Sequence, residues 1–91
     1  MNYLDFETPI ISCATNFSTN TALAVIRISG FKDLNIFRPH FSISIDRIKP
    51  RHAHVTNLIF DGKVVDEIVL TYFASPASFT GENLLELSVH G

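Results

Sequence analysis

The dipeptide Asp61-Gly62 lies between two runs rich in β-branched and aromatic residues, 54–60 and 63–73. A two-residue type I′ turn needs positive φ at both central positions, and Asp-Gly is one of the few pairs that tolerates this. The spacing predicts an antiparallel hairpin. With 91 residues in all, the chain has room for one domain, so a hairpin of this length fixes much of the architecture. Three more segments read as strands: 10–14, 22–28 (closed by Ser29-Gly30) and 84–90. One helix is expected over 32–38, where Leu34 and Phe37 are three apart and Phe41 follows four later. Pro39 lacks an N–H and clashes with the preceding turn, so the helix should stop or kink there. Residues 42–48 open with the alternation Ser-Ile-Ser-Ile and fit a short edge strand or a loop. Residues 75–83, with Pro76 and Gly81, read as a structured loop. The order of strands, one helix and strands again predicts an α+β domain with a mixed, largely antiparallel sheet and one short helix.

Composition narrows the possibilities. Hydrophobic residues make up 46% and charged residues 18%, which excludes intrinsic disorder. A chain this short buries only roughly 60–65% of its unfolded surface, so its own stability should be modest. The net charge of -2 gives no basic footprint of an autonomous nucleic-acid binder beyond Lys49-Pro50-Arg51. The single cysteine, Cys13, excludes an internal disulfide framework and fits a buried, inert thiol in a reducing compartment. Residues 1–7 carry Asp5 and Glu7 and no basic residue, unlike a signal or transit peptide. No apolar run reaches the roughly 20 residues that span a membrane. The sequence stops at Gly91 directly after a strand-like run, and we expect a piece of a longer protein.

Two charges stand inside apolar strands: Arg27 in Val25-Ile26-Arg27-Ile28, and Glu86 in Leu84-Leu85-Glu86-Leu87. Side chains alternate faces along a strand. Val25, Arg27 and Ser29 therefore share one face, with Ala24, Ile26 and Ile28 on the other. Leu84, Glu86, Ser88 and His90 likewise oppose Leu85, Leu87 and Val89. If the mixed faces coincide, a cation and an anion line one surface. They then form a structural salt bridge, stay solvated, or grip a small anionic or heterocyclic ligand from both ends. Histidines offer another reading, in which His52, His54 and His90 form a three-imidazole metal site. Asp66 and Glu67 are adjacent strand residues on opposite faces, so they cannot flank one substrate atom. Neither a G-x-x-x-x-G-K-[ST] phosphate loop nor a G-x-G-x-x-G occurs.

An ordered set of short motifs carries more information than any single block. Ala14-Thr15 is followed by Ala24-Val25-Ile26-Arg27-Ile28-Ser29-Gly30, Lys49-Pro50-Arg51-His52-Ala53, Val65-Asp66-Glu67, Phe79-Thr80-Gly81-Glu82 and a terminal His90-Gly91. From about Ile10 to Gly91 this resembles the N-terminal domain of the tRNA-modification GTPase family MnmE/TrmE, here incomplete and without the family's G and helical domains. The resemblance implies binding of a 5-formyl-tetrahydrofolate-type one-carbon cofactor, and homodimerisation. It also implies cytoplasmic work with the FAD-dependent partner subunit MnmG/GidA on C5 of the tRNA wobble uridine. GTP, Mg and K ions would belong to the G domain, so the piece itself is expected not to be catalytic. By motif position, Arg27 and Glu86 match the family's cofactor-contacting arginine and glutamate. A carboxylate can accept the paired N–H donors of a reduced pterin, and a guanidinium fork can hold a carbonyl or carboxylate. One departure is residues 16–21, Asn-Phe-Ser-Thr-Asn-Thr, where the family usually has a loop rich in Pro, Gly and Arg. That departure keeps open a purely structural dimerisation module with no working folate site.

Overall fold

The computed structural model describes residues 10–13, 23–76 and 81–90, with the side chains of 10–13 and 23 left aside. Five strands form one sheet: β1 (Ile10–Cys13), β2 (Leu23–Ser29), β3 (Ala53–Phe60), β4 (Lys63–Phe73) and β5 (Leu84–His90). Their order is β1-β2-β5-β4-β3, and every pairing among them is antiparallel. The sheet is therefore not mixed, and sheet dominates the expected α+β pattern. The expected thiol environment of Cys13 and the segment 16–21 lie outside what is described, as do residues 77–80 of the 75–83 loop.

The hairpin forms as its turn chemistry predicts. Asp61 has φ 53° and Gly62 φ 75°, so both central positions are left-handed. The register then shifts between Leu58 and Ile59, where Leu58 faces Asp66 and Ile59 faces Val64. Val65 is the extra residue of this β-bulge, which bends and twists the hairpin.

The connection from β2 to β3 departs from expectation. No α-helix forms there; residues Leu34–His40 make a 3-10 helix that contains Pro39. Leu34 and Phe37 are both buried, and a three-residue spacing matches three residues per turn rather than 3.6. The Asp33 side chain caps the segment, accepting the Asn35 N–H at 2.8 Å. The 42–48 stretch is not a strand either. Phe41 bridges to Leu58, and a second 3-10 turn covers Ile45–Arg47. Thr56 explains the bend between them. Its buried hydroxyl accepts the Ile43 N–H at 3.0 Å and meets Ser42 Oγ at 3.2 Å, pinning the loop to β3.

One face of the sheet supplies Ile26, Ile28, Ile68, Leu70, Leu85 and Leu87 to the core. Phe31, Leu34, Phe37, Phe41, Ile45 and Ile48 from the 3-10 region cover it. Phe31 meets Phe37 edge-on at 5.0 Å between ring centroids, and Phe37 stacks on Phe41 at 5.8 Å. Each fully buried aliphatic side chain contributes about 1.5–3 kcal/mol. Among the described residues, no helix is long and apolar enough to cross a membrane.

Candidate functional site on the open sheet face

The face away from the core carries the charges. Arg27 on β2 and Glu86 on β5 are direct register partners. Arg27 Nε donates to Glu86 Oε2 at 3.2 Å, with the two side chains 44% and 29% exposed. The period-two reading of both strands holds, because Ile26, Ile28, Leu85, Leu87 and Val89 all turn to the core. A pair this open to water typically adds no more than about 1 kcal/mol to stability. The sheet is held by its apolar face, and the ion pair is not what holds it. Glu86 is also the register partner of Thr71 on β4, and Thr71 of Ala53 on β3. Arg27, Glu86, Thr71 and Ala53 thus lie in one row across four strands.

The histidines do not converge. His52 precedes β3 and its Nδ1 donates to the Pro50 carbonyl at 2.9 Å. His54 accepts the Lys49 N–H on Nε2 at 3.1 Å. His90, at the end of β5, donates from Nδ1 to Asp66 at 2.6 Å. Among the described residues no three His, Cys, Asp or Glu side chains gather as metal ligands. The three-imidazole reading is therefore set aside: β3 and β5 are separated by β4, and each ring is already bound to its own neighbour. Asp66 also accepts the His90 backbone N–H at 2.9 Å. That backbone bond first, and the imidazole second, hold the Asp66 carboxyl below its ordinary pKa.

Two features escaped the sequence. Asn83 uses its whole amide: Oδ1 accepts the Tyr72 hydroxyl at 3.2 Å and the Ser75 N–H at 2.8 Å. Its Nδ2 donates to the carbonyls of Phe31 at 3.1 Å and Lys32 at 2.6 Å. Asn83 thereby shapes a shallow cleft of about 180 Å³ that includes Gly30, Lys32 and Glu82. Burial, and then the charge of Asp33, raise the Tyr72 hydroxyl above its ordinary pKa. The second feature is a cleft of about 690 Å³ between the 42–49 loop and the start of β3, bordered by Arg47, Lys49, His52 and His54. The Lys49-Pro50-Arg51 run was its only signal. Neither cleft is lined by Arg27 or Glu86.

These features define a small, sheet-dominated α+β domain with one packed face and one open face bearing a central charged pair. The family model described as "GTP-binding protein TrmE N-terminus" matches residues 9–91, and the chain belongs to that family. It is 43% identical over 83 residues to the tRNA modification GTPase MnmE of Mesoplasma florum, covering 90% of this chain and 18% of that protein. Against the MnmE of Aquifex aeolicus it is 39% identical over 84 residues, 91% of this chain and 18% of the relative. The MnmE of Ehrlichia chaffeensis is 47% identical over 72 residues, 78% and 16% respectively. The chain thus spans less than a fifth of the length of these relatives.

Proposed function

We propose that this chain is the cofactor-binding and dimerisation module of a tRNA-modification GTPase, with Arg27 and Glu86 holding a 5-formyl-tetrahydrofolate-type cofactor. The observation that carries the reading is the register pairing of these two residues, 3.2 Å apart on the open face. A carboxylate beside a guanidinium suits a heterocycle that offers adjacent N–H donors and a carbonyl acceptor. The cofactor would supply a one-carbon unit, and the role of these side chains is to bind and orient it. GTP hydrolysis with its Mg and K ions, the FAD-dependent partner MnmG/GidA and tRNA are then matters for the whole protein. The chain itself contains no phosphate-loop motif.

Homodimerisation draws support from a separate feature. Val55 and Val69 are register partners on the open face, 66% and 40% exposed. An exposed apolar pair on an open sheet face suits a protein contact.

Calorimetry with 5-formyl-tetrahydrofolate tests the cofactor reading. Binding is expected, and Arg27→Ala or Glu86→Ala should weaken it at least tenfold while circular dichroism shows the fold intact. Binding unchanged in both folded variants refutes the site. Sedimentation at high concentration tests the dimer, and a strict monomer contradicts it.

A further inference from the structure

Three of the seven Lys and Arg residues lie within 47–51, and no acid occurs between Asp46 and Asp61. Arg38 takes up Asp46 at 3.1 Å, while Arg47, Lys49 and Arg51 are exposed and form no ion pair among the described residues. The backbone that presents them is tightly set. The Arg51 N–H donates to the Tyr72 carbonyl at 2.7 Å, and the His52 N–H closes the turn onto the Lys49 carbonyl at 3.3 Å. Arg51 has φ 65°. A turn with proline followed by a left-handed residue favours glycine at that second position, yet an arginine stands there. Strain of this kind is typical of functional loops.

The place of this basic cleft matters as much as its charge. Ala53 lines it and closes the row that runs through Thr71 and Glu86 to Arg27. Arg27 and Ala53 are three strand spacings apart, roughly 14 Å. A ligand whose ring is held by the Arg27–Glu86 pair and that runs along this row would cross Thr71 and reach Ala53, which borders the cleft that Arg47 and Lys49 also line. We infer that the 47–54 cleft is a subsite for the carboxylate-bearing tail of the folate, and that it selects forms carrying several γ-linked glutamates. This rests on the cofactor reading above and adds the ligand class to it. Lys49 and Arg47 supply the charge. His54, by accepting the Lys49 N–H, positions the turn. Exposed cations attract a polyanion through water, so the effect is moderate and sensitive to salt.

Calorimetry with the monoglutamyl and triglutamyl forms of 5-formyl-tetrahydrofolate tests the proposal, alongside free γ-linked triglutamate monitored through the His52 and His54 ring resonances. The triglutamyl form should bind about tenfold tighter. That gain should shrink in Lys49→Gln and in Arg47→Ala, and vanish in about 0.5 M salt, where screening is over a few ångströms. Both residues are exposed, and circular dichroism checks that both variants fold. Equal binding of the two folates overturns the subsite and leaves the cofactor reading standing. Binding of free triglutamate at the two histidines without folate binding supports the subsite and overturns the cofactor reading. Failure of every glutamyl ligand overturns both. A ten-nucleotide single-stranded RNA that binds more tightly than triglutamate, with the same dependence on Lys49, overturns the proposal in favour of a phosphate-strand surface.

Discussion

Asn83 joins three separate parts of the chain through one side chain, and replacing it gives a sharp test of how the sheet is tied to the loop before the 3-10 helix. Its amide has two donors and two lone pairs, and all four are used. The bonds to the Tyr72 hydroxyl and the Phe31 carbonyl are part-buried, and each contributes about 1 kcal/mol. The bonds to Ser75 and Lys32 are exposed and add less, since water replaces them. Asn83→Ala should therefore cost about 2–3 kcal/mol. In a domain of this size that lowers Tm by roughly 10–20 °C. Asn83→Asp is nearly isosteric and sharpens the test. It keeps an acceptor for Tyr72 and Ser75 but sets a carboxylate oxygen against two carbonyls. At neutral pH it should be at least as destabilising as the alanine. The introduced carboxyl is held neutral more easily in the folded state than in the unfolded one, so its folded pKa is raised. Its deficit should then shrink as pH falls below that value, because the protonated group can donate one bond. Urea unfolding at pH 7 and pH 4 measures both effects. An alanine variant within 0.5 kcal/mol of wild type, or an aspartate variant more stable than the alanine at pH 7, refutes the reasoning.

Two further outcomes are expected. The folded-state pKa of Asp66 is depressed, so the stability it contributes is present above its unfolded value near 3.8 and is lost as pH falls through the folded value. Asp66→Asn should flatten that acid limb in unfolding curves recorded between pH 5 and pH 2; an unchanged limb contradicts the Asp66–His90 clasp. Arg51→Gly relieves a left-handed residue, worth about 1–2 kcal/mol. It adds back roughly 0.5–1 kcal/mol of unfolded-chain entropy, so thermal melting should show a small net gain in Tm. A fall in Tm means that the arginine side chain stabilises the turn.

The parts of the fold that local chemistry decides were readable in advance. Asp61-Gly62 needed only its own φ preferences, and alternation alone put Arg27 and Glu86 opposite the apolar residues of β2 and β5. That the two become register partners depends on β5 pairing with β2, which no local signal states. The 3-10 segment was misread because Leu34 and Phe37 fit both periods, and the core-facing demand every third residue outweighed helix propensity. The bulge at Val65 left no mark, since three of the residues around it, Val64, Val65 and Ile68, are equally good strand formers. Asn83 was silent for a different reason: its partners lie as far as 52 positions away, at Phe31. The basic cleft was half visible. Lys49-Pro50-Arg51 showed the charge, but its place at the end of the Arg27–Glu86–Thr71 row is a product of topology.

The strand order has a kinetic consequence. β5, the last strand described, occupies the middle of the sheet between β2 and β4. The hairpin of β3 and β4 can form as soon as it leaves the ribosome, because its contacts are local. β2 must wait with one side unpaired until residues 84–90 emerge and slot in between. Such late closure of distant pairings is slow compared with hairpin formation. During translation, then, this sheet passes through a stage of two unjoined halves, in which one flank each of β2 and β4 stays bare until residues 84–90 arrive.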